Sequence, residues 1–135
     1  EADPSLDVEG WDTAMKMLIL VNVLMEEDKT LKDIKVSGIT AMSQEEIKKA
    51  ATDGKKLKLI GKAVKNEEGL EMCVSLEEIS PDHPLYGVDG KNKGVRYVSD
   101  ALGDLTIIGG ASGTRAAAAS ILRDVINIYR GYRFV

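Results

Sequence analysis

The chain has 135 residues, with 18 lysines and arginines against 22 aspartates and glutamates, a formal net charge of −4. That balance argues against nucleic acid or an anionic membrane surface as a partner, since both need basic patches. The single cysteine excludes an internal disulfide framework and a cysteine-rich zinc site; no apolar run reaches the ~18 residues of a bilayer span and no signal segment is present, which points to a cytoplasmic protein.

Residues 1–16, EADPSLDVEGWDTAMK, lead into a strongly apolar stretch. Asp3-Pro4 opens a turn, because proline pushes the residue before it away from helix. Asp7 is placed to cap a helix through its carboxylate. From about Gly10 the pattern is helical, and Asp12 and Lys16 fall four apart on one face. Met17 to Met25 is apolar nearly all round, broken only by Asn22, the pattern of a buried helix. The Asp12–Lys16 pair is therefore expected at the mouth of a core helix with restricted access to water. Two readings of it stand side by side. One is an ordinary solvated helix ion pair of small energetic weight. The other is a partly desolvated lysine among carboxylates, suited to donate a proton or polarise a carbonyl.

Glu26-Glu27-Asp28-Lys29 reads as solvated surface, and acids oppose the macrodipole at a helix C-terminus, so the helix is expected to stop before them. A short strand is expected around Ile34-Lys35-Val36. Ser43-Gln44-Glu45-Glu46 is a capping box opening a helix to about Thr52, with Ile47, Ala50 and Ala51 as its inner face and Gly54 at C′. A hairpin follows. Leu57, Leu59, Gly61 and Ala63 alternate with Lys58, Ile60, Lys62 and Val64; after Asn66-Glu67-Glu68-Gly69, Leu70, Met72, Val74 and Leu76 alternate with Glu71, Cys73, Ser75 and Glu77. Lysines on one strand and glutamates on the next suit cross-strand pairing on a solvated face. Cys73 falls among the outer positions beside Ile60, so a helix is expected over part of that face, and nothing marks the thiol as reactive.

Residues 80–92, SPDHPLYGVDGKN, form a loop, since two prolines and two glycines forbid a long regular element. His83, the only histidine, has no second histidine or cysteine nearby and makes a poor metal ligand; its ring is expected to bond a loop carbonyl in a structural role rather than to act in catalysis. Strands are expected over Val95–Ser99 and Leu105–Ile108. The second runs into Gly109-Gly110-Ala111-Ser112-Gly113-Thr114 and then a helix from about Thr114 to Tyr129. A strand, a glycine-rich turn and a helix N-terminus offer backbone N–H groups to an anion or cofactor. The sequence is neither a dinucleotide fingerprint nor a phosphate-binding loop, and glycines there also serve close helix–strand packing. The order of elements gives an α+β fold: a mostly antiparallel sheet of four to five strands with about three helices packed on it around one core.

Asp3-Pro4, Asp7-Val8, Gly10, Asp12 and Lys16, spaced D-P-x-x-D-V-x-G-x-D-x-x-x-K, resemble the signature of homoserine dehydrogenase, with seven positions matched in fourteen. His83-Pro84-Leu85, Asn92, Gly103 and the Gly109–Gly113 loop before an alanine-rich helix are similar in order and spacing to the C-terminal half of that family. Together they cover most of the chain. The resemblance implies reversible reduction of aspartate 4-semialdehyde to homoserine with NADP or NAD, in threonine, methionine and isoleucine biosynthesis. It implies Lys16 as the proton donor to the carbonyl oxygen, Asp12 as the group holding it, and Glu1 and Asp7 as ligands of the substrate's amino group; Asp3 stays a turn residue. His83-Pro84-Leu85 then lies close to the substrate, with Asn92 either lining the site or making a turn, and Gly110, Ala111, Ser112 and Gly113 touch the nicotinamide side of the cofactor cleft. Residues 1–135 are read as a single catalytic and substrate-binding domain, a fragment of a longer chain that lacks the N-terminal dinucleotide-binding domain and is inactive alone. The last helix, 114–130, is expected to pack toward that domain, and an exposed sheet edge with an unpartnered helix face favours a homodimer. The alternative is a non-catalytic amino-acid-binding or regulatory α+β module whose carboxylates grip an ammonium ligand.

Overall fold

Two eleven-residue strands, β2 (Lys56–Asn66) and β3 (Gly69–Ile79), form an antiparallel hairpin that organises the first half of the chain. Its faces follow the alternation in the sequence: Leu57, Leu59, Gly61 and Ala63 stand opposite Glu78, Leu76, Val74 and Met72. The computed structural model describes residues 9–38, 43–110 and 112–132, and in the second helix the backbone of Gln44 and Glu46 without their side chains. The chain divides into two compact units, Glu1–Ser80 and Pro81–Val135.

In the first unit, β1 (Lys35–Val36) adds to β3 in parallel, giving the strand order β1-β3-β2. Helix α1 (Trp11–Leu24) lies on the Leu59–Gly61–Ala63 face and buries Ala14, Met17 and Val21 against Ile34, Met72 and Val74. Its other side, with Met15, Ile19, Val23 and Leu24, is exposed. The expectation of a helix buried all round is therefore corrected: one three-stranded sheet covers one side of α1. Gly10, at φ 90°, takes the N-cap position, so the capping role expected of Asp7 does not fall to it on this helix, and Asp7 itself lies outside the described residues. Asn22, the polar break in the apolar run, clamps the returning chain: its amide donates to the Lys29 carbonyl and accepts from the Lys29 N–H, both at 3.0 Å.

As expected, α1 ends before the acidic run. Glu26 follows the C-cap Met25 with φ 55°, a left-handed conformation at the position where glycine usually stands. Glu26→Gly is expected to stabilise the first unit by about 0.5–1 kcal/mol, because an L side chain is strained there. Denaturant unfolding checks this, and a lowered midpoint would refute it. Glu27 is half-buried rather than plain solvated surface, and it pairs with Lys65 at 2.9 Å and Lys29 at 3.7 Å.

Ahead of β1, a 3-10 turn (Leu31–Asp33) is held by Asp33, whose carboxylate accepts from the Thr30 N–H at 2.8 Å and hydroxyl at 2.9 Å. These bonds hold the Asp33 carboxyl below its usual 3.8, and the Lys65 ammonium holds Glu27 below its usual 4.5. Both groups favour the folded state once they are charged, so their contribution is present above the usual values and lost as pH falls through the depressed ones. Melting temperature is thus expected to drop on acidification below pH ~4.5. Asp33→Asn should lower it at neutral pH and flatten that acid slope; an unchanged slope counts against the assignment.

Helix α2 (Gln44–Thr52) begins after Ser43, where the capping reading put it. Its end is a Schellman turn on Gly54 (φ 68°): the Lys55 N–H donates to the Ala50 carbonyl at 2.9 Å and the Gly54 N–H to Ala51 at 3.2 Å. Of the expected inner face, Ala50 is buried while Ile47 and Ala51 are exposed. Ile60 and Ile79 are buried on the sheet face opposite α1, so that face is partly covered as the position of Cys73 implied. The rest of that face carries the expected cross-strand charges, with Lys62–Glu77 at 2.7 Å, while Lys55, just before β2, pairs with Glu78 of β3 at 2.5 Å.

In the second unit, β4 (Lys93–Ser99) and β5 (Gly103–Gly109) form a separate two-stranded antiparallel sheet. The five described strands thus make two sheets, not the single sheet expected, because alternation specifies which face is buried and not which strands are neighbours. Arg96 and Asp104 pair diagonally across it at 2.5 Å. Helix α3 (Thr114–Tyr129) ends on Gly131 in a second Schellman turn, and it has no buried residue: Ile121, Leu122, Val125, Ile128 and Tyr129 are all exposed. Packing of this helix onto the sheet is likewise corrected. The fold class remains α+β, and no described helix is long and apolar enough to cross a membrane.

Candidate active site

The first turns of α1 bring Asp12 and Lys16 together. The Lys16 ammonium donates to Asp12 Oδ2, one helical turn back. Asp12 lies in the first turn, where a carboxylate also meets the positive end of the helix dipole. An ammonium carries three donors, so one held by Asp12 leaves others for a ligand oxygen. The expectation of restricted water access is not met: the side chains are 57% and 40% exposed for Lys16 and Asp12. They stand on the side of α1 turned from the sheet, next to the uncovered Met15 and Ile19.

Two glycines fix where this helix sits. A Cβ on Gly10 would lie 3.1 Å from Val74 Cγ1 and 3.3 Å from Val36 Cγ1, so the N-terminus of α1 rests directly on the sheet. A Cβ on Gly61 would meet Thr13 Cγ2 and Met17 Sδ, each at 3.2 Å. In the sequence Gly61 is one of four alternating positions, with Leu57, Leu59 and Ala63, on one face of β2. A glycine inside a strand is itself a sign of close approach by another element, and that signal was available.

Of the remaining expected site residues, Glu1, Asp7 and Ala111 lie outside the described residues. In the second unit, Gly110, Ser112 and Gly113 are exposed, and Gly113 is the N-cap of α3 with no side-chain cap. Gly109, Gly110 and Gly113 all have positive φ, at 156°, 99° and 103°. A Cβ on Gly109 or Gly113 would meet nothing within 4 Å, so these glycines serve backbone conformation rather than close packing. The His83 ring does not make the expected bond to a carbonyl: its Nδ1 accepts the Leu85 N–H at 3.1 Å, and the His83 carbonyl accepts the Tyr86 N–H at 2.9 Å. The loop folds onto β4 at Gly94, where a Cβ would fall 2.6 Å from Val88 Cγ2. Asn92 makes a turn, its N–H donating to the Asp89 carbonyl at 3.2 Å.

A family model described as homoserine dehydrogenase matches residues 1–126. The chain is 37% identical over 131 residues to an NAD(+)-dependent homoserine dehydrogenase of Pseudomonas canavaninivorans, covering 96% of this chain and 37% of that protein. It is 32% identical to homoserine dehydrogenase of Bacillus subtilis, over 98% of this chain and 31% of the relative. The crystal structure of S. aureus homoserine dehydrogenase at pH 6.5 superposes with a TM-score of 0.86 at 30% identity, covering 100% of this chain and 34% of that one. A homoserine dehydrogenase structure from Thiobacillus denitrificans gives 0.87 at 29% identity, over 96% of this chain and 30% of that one. The chain thus spans about a third of the length of the curated relatives it matches. A signature that places a lysine one turn after an aspartate at the head of α1, and a family match running through nearly the whole chain, make it a member of the homoserine dehydrogenase family.

Proposed function

We propose that residues 1–135 are the catalytic and substrate-binding part of an NAD(P)-dependent homoserine dehydrogenase, which interconverts homoserine and aspartate 4-semialdehyde. The observation that carries this reading is the Asp12–Lys16 pair at the exposed head of α1, inside the segment that matches the family. In the reducing direction, negative charge builds on the aldehyde oxygen. The Lys16 ammonium, aimed at that oxygen, stabilises the charge and hands over a proton; Asp12 holds the ammonium in place. Glu1 and Asp7 take the substrate's amino group, since carboxylates near an ammonium complete its charge-assisted hydrogen bonds. The nicotinamide cofactor supplies or takes up the hydride when bound. Gly110, Ala111, Ser112 and Gly113 hold its nicotinamide side through backbone contacts, a role supported by the uncapped N-terminus of α3 and the open space at Gly113.

In the same proposal, α3 packs its exposed Ile121, Leu122, Val125 and Ile128 toward a dinucleotide-binding domain. The enzyme is a cytoplasmic homodimer serving threonine, methionine and isoleucine biosynthesis, with NADPH or NADH as the reductant in that direction and NADP or NAD as the oxidant in the reverse one. The test is homoserine-dependent reduction of NAD+ and NADP+ by the full-length protein, followed by absorbance; no turnover with either cofactor sinks the reading. Sedimentation equilibrium of the same protein as a monomer at high micromolar concentration removes the dimer.

A further inference from the structure

We propose that Gly61 is a positioning residue for the reaction: its missing side chain sets the height at which α1 rides over β2, and so the place of Asp12 and Lys16. The proposal rests on the reading of Lys16 as the proton donor. Gly61 lies mid-strand, opposite Val74. The two side chains closest to its absent Cβ are Thr13 and Met17, the residues that follow Asp12 and Lys16 in the chain. The contact point therefore lies beneath the turn that carries the pair.

An added methyl would find Thr13 Cγ2 and Met17 Sδ at 3.2 Å, tight enough that a neighbour must yield by a few tenths of an ångström. The Met17 sulfur ends a flexible chain and can swing aside. The Thr13 methyl is less free, because a threonine in a helix is held to two χ1 rotamers, and in the one it occupies the methyl stays over Gly61. With that rotamer kept, the helix itself must lift or tilt, and Gly10 pins its N-terminal end on Val74 and Val36. A tilt about Gly10 is carried along the helix to Asp12 and Lys16. Reaction rates respond to such shifts, since a displacement of ~1 Å can cost about 100-fold. Stability need not follow, because alanine is better than glycine in a strand interior and offsets part of the packing strain.

The experiment uses the full-length enzyme. Gly61→Ala is expected to lower kcat roughly ten-fold with KM for homoserine within about two-fold, because the ground-state contacts change less than the aim of the ammonium. Thr13→Ser removes the opposing methyl; alone it should leave kcat near wild type, and combined with Gly61→Ala it should restore most of the lost rate. Ile79→Val, buried on the opposite face of the sheet, serves as a control that lowers stability without touching kcat. A Gly61→Ala enzyme with kcat within about two-fold of wild type, or a loss that Thr13→Ser does not rescue, overturns the proposal. Lys16→Ala in the same series separates the two ideas. If it leaves kcat intact, the catalytic reading fails; if it abolishes turnover while Gly61→Ala does not lower it, only the positioning role fails.

Discussion

Lys16→Ala in the full-length enzyme is expected to lower kcat by about 100-fold or more, with a much smaller rise in KM for homoserine. The reason is where the interaction is strongest. An ammonium beside a neutral aldehyde or alcohol oxygen makes a modest hydrogen bond; beside the oxygen as it gains negative charge it makes a charge-assisted one. Loss of that difference falls on the transition state, and removal of one such donor typically costs ~10²–10³ in rate. The exposure of Lys16 in this chain does not weaken the expectation, because the same exposure leaves the ammonium open to a substrate. Steady-state kinetics on a variant with wild-type circular dichroism decides it. A kcat within a few fold of wild type would reduce Asp12–Lys16 to the plain helix ion pair.

Companion variants sort the roles. Lys16→Arg keeps charge, but a planar guanidinium has a different reach and holds its proton too firmly to pass it on, so rescue should be poor. Asp12→Asn keeps shape while loosening the ammonium, and should cut kcat less than Lys16→Ala does. If Glu1 and Asp7 grip the substrate's amino group, Glu1→Gln and Asp7→Asn should act on KM more than on kcat.

How far the sequence carried this account depends on what each pattern encodes. The β2–β3 hairpin was legible because strict alternation names the face of each side chain, and Leu59 does stand opposite Leu76. The Asp12–Lys16 contact was legible because four-residue spacing on a helix is geometry. The burial of that pair was not, because it depends on what covers the outer side of α1, and the same apolar run serves a helix enclosed by protein and one with Met15 and Ile19 uncovered. The split into two sheets was hidden for a similar reason, as alternation carries no record of which strand lies alongside. Gly61 was visible as a glycine inside a strand, but Thr13 and Met17 over it belong to a helix some forty-five residues earlier. Thr30 and Asp33, spaced as a helix-start signal, were readable and passed over.

Gly10→Ala is expected to destabilise the first unit by about 2–5 kcal/mol. Two costs add. At φ 90° the backbone of Gly10 is in the left-handed region, where an L side chain costs about 1–2 kcal/mol. The new methyl would also press on Val74 Cγ1 at 3.1 Å and Val36 Cγ1 at 3.3 Å. Val74 is 0% exposed and closed in by the helix and sheet, so relief requires movement of packed groups, an overpacking cost of about 1–3 kcal/mol. Trp11, the only tryptophan in this chain and the next residue after Gly10, packs against the core and makes a local fluorescent reporter of the start of α1. Its emission followed through denaturant unfolding should show the midpoint fall. The steric share can be isolated with Val74→Ala, which removes the methyl that Gly10→Ala meets. If the contact is real, the double variant should be more stable than the sum of the single effects by about 1 kcal/mol or more. A Gly10→Ala chain within ~0.5 kcal/mol of the original would mean that the helix start adapts freely, and that Gly10 does not pin the turn carrying Asp12 and Lys16.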